Sequence, residues 1–352
     1  MATSDSRSAR DGLLIADSPS VRLSLTWQAL LLNSSHVAQA HSAALLPAQV
    51  LQKALVHLSS FAAEGGSFAV HNGDSLCGGS SFAQSRSEYE SNLQDVLSMQ
   101  RSVLGGWPVH HLPGNHDVDP LGGGLRAWGG VLGNSTPAWA GAPEPGANYR
   151  MLRRDGWRLL LLDTMDGLSR DTDGHGHIGQ TQLQWLQAQL HDAAEAAEQV
   201  VLVMHQLLAE PIGGDGALPR FLDRRQDFVD NRLEVLRVLK QHSHVRLSLH
   251  GHVHANTLTV QHGIVFASSA SIGEFPMQWR EVHVLPCEIR LRARPLGMSA
   301  LLQKSARRET RGVNDGKEGR DSANVDLLFQ GGSRCPKAEH RGAAAPVVRR
   351  VR

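Results

Sequence analysis

Four short segments of this chain place metal-binding side chains directly after apolar runs. They are Asn72-Gly73-Asp74, Gly114-Asn115-His116-Asp117, Met204-His205 and Gly251-His252-Val253-His254. Short apolar runs bounded by glycine or polar residues predict buried strands, and open α/β sheets build their sites in the loops after such strands. Carboxylate, amide and imidazole ligands together suit Mn, Fe or Zn better than Ca or a thiolate-bound structural zinc. The sequence therefore predicts a transition-metal centre.

The order of these segments resembles that of the calcineurin-like metallophosphoesterase superfamily. Its specific part is Gly-Asn-His-Asp at residues 114–117, followed by Gly-His-Val-His at residues 251–254. A finer resemblance, to the bacterial 3',5'-cAMP phosphodiesterases, rests on residues 160–163, 182–186 and 244–246. The likeness covers about residues 21–296. It implies an α/β fold, a four-layer αββα sandwich with the metal site at the carboxyl ends of central strands.

The resemblance also implies two divalent or trivalent transition-metal ions, Mn, Fe or Zn, as cofactors. Two ions about 3.5–4 Å apart can hold a bridging hydroxide for an in-line displacement at phosphorus. Asp74 would bridge them, because a carboxylate offers two oxygens and a negative charge. The match assigns the remaining ligands to separate ions: Asn115, His205 and His252 to one, and His36 and His254 to the other.

Two residues of segment 114–117 would serve the reaction without binding metal. By the same resemblance, His116 would face the phosphate and protonate the leaving oxygen, a general-acid task suited to imidazole. Asp117 would orient His116 by hydrogen bonding, although alone it could be a turn or capping residue. Farther along, Glu274 and Arg280 lie where the site should close. Arg280 could pair with a phosphate or form an internal salt bridge.

The first motif of the superfamily, Asp-x-His, is altered in this chain. Its best match is Ser34-Ser35-His36, about 40 residues before Asp74, and residues 27–32 could form the preceding strand. A neutral hydroxyl cannot replace a carboxylate at a dication, so the first metal site should be weak or empty at low metal concentration. Asp17, after the apolar residues 13–16, and Asn33 are alternative ligands.

Alternating strand and helix signals predict how the ligands are positioned. Amphipathic helices are expected at residues 47–62, 87–103, 180–194 and 228–241, with a capping box from Ser87 to Glu90. Short strands at 257–260, 264–267, 281–285 and 288–293 predict an antiparallel section that closes the fold. Residues 120–150, rich in Gly, Pro and Ala, are expected to form a substrate-side loop.

Composition predicts three parts and the setting in which they work. A disordered segment at 1–20 precedes the metallophosphoesterase domain at 21–298, and a disordered basic tail is expected at 299–352. The net charge of +1 gives no electrostatic footprint for nucleic acid. No apolar run is long enough to span a membrane and the start does not resemble a signal peptide, which predicts a cytoplasmic protein. The three cysteines, Cys77, Cys287 and Cys335, are expected to be reduced and unpaired.

Together these features predict a hydrolase of small phosphate esters, either phosphomonoesters or phosphodiesters, cyclic nucleotides among them. Two alternatives stay open. Ser34 favours a catalytically impaired pseudoenzyme that binds phosphate ligands or regulates a partner. A nuclease, an activity also found in the superfamily, is disfavoured because the body of the chain is not basic.

Overall fold

The computed structural model describes residues 21–25, 45–76, 85–119, 122–135, 143, 146–168, 174–211, 222–223, 226–308, 323–329 and 346–351. Its strands are β1 Val21–Leu25, β2 Phe68–Asn72, β3 Val109–Leu112, β4 Arg150–Arg154, β5 Trp157–Leu161, β6 Gln199–Met204, β7 Val245–His250, β8 Thr257–Gln261, β9 Ile264–Ser268, β10 Gln278–Leu285, β11 Glu288–Pro295, β12 Asn324–Leu328 and β13 Val347–Arg350. Its helices are α1 Leu45–Ala63, α2 Arg86–Leu104, α3 Arg126–Trp128, α4 Gln180–Glu195, α5 Arg232–Leu239 and α6 Ser299–Arg308.

These strands form two sheets within the described residues. The first sheet has the order β13-β12-β11-β10-β1-β2-β3, and the second has the order β4-β5-β6-β7-β9-β8. The pairs β2–β3 and β6–β7 are parallel. Because parallel strands end at the same edge of a sheet, the loops after these four strands are brought to one side of each sheet. The antiparallel section predicted from β8 to β11 is confirmed, although it is divided between the two sheets.

Three apolar clusters show the layers. Between the sheets, alternate residues of the strands pack face to face, as with Val70, Leu161 and Val203. Helices α1 and α2 cover the outer face of the first sheet. Helices α4 and α5 cover the outer face of the second. The predicted four-layer αββα sandwich is confirmed.

The tail expected to be disordered contributes to the first sheet. Strand β12 pairs antiparallel with β11, and β13 pairs with β12. Val325 and Leu327 are fully buried in the core between the sheets. Their alternation with polar neighbours is a strand pattern that the surrounding Gly-, Arg- and Ser-rich sequence hides. For residues 299–308, 324–328 and 347–350, the prediction of disorder is therefore wrong.

Residues 122–135 are framework rather than an open loop. Helix α3 continues into a π-helical turn at Gly129–Gly133. Trp128 is fully buried there, in the cluster that α1 and α2 form against the first sheet. This corrects the expectation of a substrate-side loop for that part of 120–150, because the tryptophan is held by the apolar layer instead of facing a ligand.

The beginning of the first sheet bears on the altered first motif. Strand β1 lies parallel to β2, with Leu25 beside Val70. The predicted strand at 27–32 lies outside the described residues, as do Asp17, Asn33, Ser34 and His36. Within the described residues β1 is the strand that pairs with the amino side of β2, and Asp17 stays an alternative ligand in the prediction.

Cys287, in the turn between β10 and β11, is disulfide-bonded, which corrects the prediction that the cysteines are unpaired. Cys77 and Cys335 lie outside the described residues, and their separation in sequence gave no sign of a pairing. Disulfides belong mainly to oxidising compartments, so this bond does not support the predicted cytoplasmic localisation. The localisation stays a prediction. In the part of the chain that the structure describes, no helix is long and apolar enough to cross a membrane.

Candidate metal centre

Four of the predicted ligands meet at one point. Asp74 lies two residues after β2 and Asn115 three after β3, while His205 directly follows β6 and His252 lies two after β7. The Nε2 atom of His205 is 3.2 Å from Asp74 Oδ2, 3.3 Å from Asn115 Oδ1 and 3.2 Å from His252 Nδ1. The structure thus gathers two loops of each sheet around His205.

Two glycines of the motifs allow these loops to approach each other. Gly73 has φ +94°, and a Cβ there would overlap His205 Nδ1 and lie 2.7 Å from Gly114 N. A Cβ on Gly114 would overlap the carboxylate of Asp74 and lie 2.8 Å from His205 Cε1. The glycines of Gly-Asp and Gly-Asn-His-Asp are therefore required by close approach.

The donor set fits a cation. His205 Nδ1 lies 2.6 Å from the carbonyl oxygen of Asn72, so this nitrogen carries the hydrogen and donates it. In the neutral ring, Nε2 then presents a lone pair to the oxygens of Asp74 and Asn115. Two ligands about 2.1 Å from one ion at a tetrahedral angle lie about 3.4 Å apart, close to the separations observed here. A transition-metal ion fits among these acceptors.

The charges of the site show the same need for a positive centre. Burial opposes ionisation of Asp74, but the nearby His205, His116 and His252 hold the pKa of this carboxyl below its usual range. Burial lowers the pKa of His205, but the charge of Asp74 and the hydrogen bonds to Asp74 and to the Asn72 carbonyl together outweigh it, so that the net shift is upward. Without metal, a proton on His205 is the available counter-charge.

His116 and Asp117 occupy a short 3-10 turn after β3, where hydrogen bonds tie them to the loop that carries Asp74. The main-chain N–H of His116 donates to Asp74 Oδ1 at 3.0 Å. The two carboxylate oxygens of Asp117 accept the N–H groups of Ser75 at 2.8 Å and Gly114 at 2.9 Å. Asp117 thus clamps the loop after β2 to the loop after β3. Its predicted role in orienting the His116 ring stays a prediction.

Asp117 is itself an unusual carboxyl group. Burial and the charge of Asp74 raise its pKa to about 7, against the two main-chain hydrogen bonds that lower it. A carboxyl with such a pKa is poised to change its charge near neutrality, which is a feature of functional sites.

The residues predicted to bind a first metal are only partly described. His254 lies two residues after His252, and its Nδ1 is 2.8 Å from Glu274 Oε2. His36 lies outside the described residues. The assignment of His36 and His254 to a first ion stays a prediction.

Several residues around the centre could not be found from motifs. Gln226 and Asp227 approach the outer nitrogen of His252, with the Gln226 carbonyl oxygen at 3.2 Å and Asp227 Oδ1 at 3.4 Å from Nε2. No spacing rule links residue 227 to residue 252. Short parallel bridges, such as that between Leu207 and Phe228, hold the segment that contains Gln226 and Asp227 in place.

Arg280 does not face a substrate. It is fully buried, and its guanidinium donates to Ser269 Oγ, Asn256 Oδ1 and the Ser268 carbonyl. It therefore holds together the loops that carry Ser269 and Asn256. This corrects the suggested pairing with phosphate.

Comparison with known proteins supports the same picture. No protein-family model matches the chain. Over 172 residues it is 29% identical to the 3',5'-cyclic adenosine monophosphate phosphodiesterase CpdA of Escherichia coli (strain K12), a match covering 49% of this chain and 50% of that protein. The chain thus spans about half the length of the curated relatives it matches.

Solved structures resemble a larger part of it. A dimetal phosphatase from Danio rerio superposes with a TM-score of 0.58 at 16% identity, covering 79% of this chain and 97% of that one. The structure of PhoD superposes with a TM-score of 0.50 at 14% identity, covering 79% of this chain and 66% of that one. With the four motifs gathered at the strand ends, these similarities confirm the resemblance predicted from the sequence: the chain has the fold of the calcineurin-like metallophosphoesterases.

Proposed function

We propose that this protein is a metal-dependent phosphoesterase, with phosphodiesters, cyclic nucleotides among them, as the first substrates to examine. The observation that carries the proposal is the convergence of Asp74, Asn115 and His252 on Nε2 of His205. CpdA, whose name specifies a cyclic nucleotide, and the dimetal phosphatase support the class of reaction.

In this proposal Asp74, Asn115, His205 and His252 hold one ion, and His254 contributes to another. When bound, the metal pair supplies a nucleophile at neutral pH and offsets the charge of the phosphate. His116, which is partly exposed, protonates the leaving oxygen. Its main chain is fixed on Asp74, so the ring starts from a defined place beside the ligands.

The proposal is tested by assaying metal-free protein reloaded with Mn²⁺, Zn²⁺ or Fe²⁺ on an aryl phosphodiester, an aryl phosphomonoester and 3',5'-cAMP. We expect turnover that requires metal and disappears with Asp74→Asn, because that change removes charge from the centre and disturbs His205 as well. Asp74→Asn should also release more metal than His252→Ala. Equal, small metal losses for both variants would argue against a shared carboxylate.

One specific observation favours a second function. Ser34 stands in the best match to the first motif, and a site lacking that carboxylate suits a protein that binds phosphate ligands without turning them over. Phosphate binding by the metal-loaded chain, with no hydrolysis of any ester at millimolar Mn²⁺, would select this alternative. Cleavage of single-stranded DNA in preference to the small esters would indicate a nuclease instead.

A further inference from the structure

Both histidines of the turn 251–254 have an acceptor behind the ring. His252 Nε2 faces the Gln226 carbonyl and the Asp227 carboxylate, while its Nδ1 faces His205. His254 Nδ1 lies 2.8 Å from the Glu274 carboxylate. A ring nitrogen beside an acceptor carries the hydrogen, so the opposite nitrogen is left with a lone pair. The contacts therefore leave Nδ1 of His252 and Nε2 of His254 as the ring nitrogens whose lone pairs can bind a metal ion.

The segment that delivers Glu274 is tied down at several points. The N–H of Gly273 donates to Ser271 Oγ at 3.0 Å, and the N–H of Gln278 donates to the Ser271 carbonyl at 3.0 Å. The N–H of Met277 closes a tight turn on the Glu274 carbonyl at 2.6 Å. Glu274 is thus presented from a fixed loop, which is what a residue needs in order to orient another.

The exposure of the pair shows which role it can have. The side chains of His254 and Glu274 are 22% and 36% exposed. An ion pair this accessible contributes little to folding, because water and salt screen it. A carboxylate behind a metal-binding imidazole, by contrast, fixes the ring and raises its basicity.

We propose that Glu274 is a positioning residue for metal binding, which holds His254 in the tautomer and orientation that present Nε2 to an ion. This inference rests on the proposed metal-dependent function. His252 depends less on a carboxylate, because the Gln226 carbonyl can accept from the same nitrogen at a shorter distance than Asp227.

The test is calorimetric titration of the metal-free, full-length protein with Mn²⁺ and Zn²⁺. Glu274→Ala should weaken one site by about 10–100-fold and leave the site containing His205 unchanged. Glu274→Gln should weaken it less than Glu274→Ala, because an amide oxygen can still accept the hydrogen but carries no charge. Asp227→Asn should have a smaller effect than Glu274→Ala.

A matched control is Glu195→Ala. It removes a glutamate whose Oε1 lies 3.2 Å from His191 Nε2 on the exposed surface of α4, and it should leave metal binding unchanged. Thermal unfolding of the metal-free Glu274 variants should match that of the native chain, which separates positioning from a loss of fold. Native affinity at every site in both Glu274 variants would overturn the inference while leaving the proposed function standing. A native chain that binds none of these metals would overturn the proposed function itself.

Discussion

At the scale of single residues, the chemistry centres on Asp74. One of its oxygens accepts the main-chain N–H of His116, and the other lies beside His205. Asp74, His252 and His254 all have left-handed backbone conformations, with φ of +56°, +63° and +53°. Such conformations cost energy in residues other than glycine and are typical of functional sites. The three predicted ligands are therefore held by loops shaped for them.

His116→Ala should lower kcat by about 10²–10⁴, the usual range for loss of a general acid. The metal content should not change, because the contact of residue 116 with Asp74 is made by the main chain. Rates on a nitrophenyl ester and on an alkyl ester, measured with bound metal in the same preparations, check this. The nitrophenyl ester should suffer least, since its leaving group needs the least protonation. Loss of metal would show that His116 is a ligand.

The motifs indicate the candidate ligand residues but not the residues that contact them from behind. Asn115 and His205 follow apolar runs, and that signal is readable along the chain. Asp227 meets His252 only because two distant loops pack together, and no local pattern encodes such a contact. Glu274 lies in a segment expected to close the site, but nothing in the sequence indicates its contact with His254.

At the scale of elements, the presence of a helix was easier to predict from the sequence than the residue at which it begins. The capping box of α2 is formed by Ser85 and Glu88, two residues earlier than the predicted pair Ser87 and Glu90. The two pairs have the same spacing and type, so sequence alone cannot separate them. Helix α5 begins at Arg232 instead of residue 228, because Phe228 and Val229 are used in bridges with neighbouring loops.

Strand β12 offers a direct test of the corrected tail. Leu327→Ala should destabilise the protein by about 2–5 kcal/mol, because Leu327 is fully buried between the sheets. The next residue supplies the control: Leu328, partly exposed on the other face of the strand, should cost distinctly less when changed to alanine. Urea unfolding of the two variants measures the difference. Equal, negligible effects would mean that the tail is disordered after all.

At the scale of the whole molecule, the fold buries histidines far beyond those at the centre. His71, on β2, and His110 and His111, on β3, are fully buried. His250, at the end of β7, is only 1% exposed. Burial lowers the pKa of His71 and His110 to about 3 and that of His250 to about 4, and it lowers the pKa of His111 well below the ordinary value. These rings remain neutral in the fold at pH values where an unfolded chain would protonate them.

The metal-free protein should therefore lose stability as the pH falls from 7 to 5. A histidine with a lowered folded pKa stabilises the fold above its unfolded pKa of 6.5, and this stability is lost as the pH drops below that value. Asp163 and Asp117 act in the opposite direction, because burial raises the pKa of each to about 7, and so does His205, whose pKa is raised beside Asp74. The four histidines with lowered pKa values outnumber these three groups. Unfolding temperatures measured with a chelator at pH 7, 6 and 5 check the sign. His110→Leu should flatten the dependence, and an unchanged slope would contradict this account.

The residues proposed to bind metal come from both sheets, which bears on how the protein folds. Asp74 and Asn115 follow strands of the first sheet, whereas His205 and His252 follow strands of the second. Contacts between residues so distant along the chain form slowly, because loops of great length must close first. We expect the metal to bind after the rate-limiting step of folding. It would then slow unfolding without speeding refolding. The metal would join the two sheets only after the chain has brought them together without it.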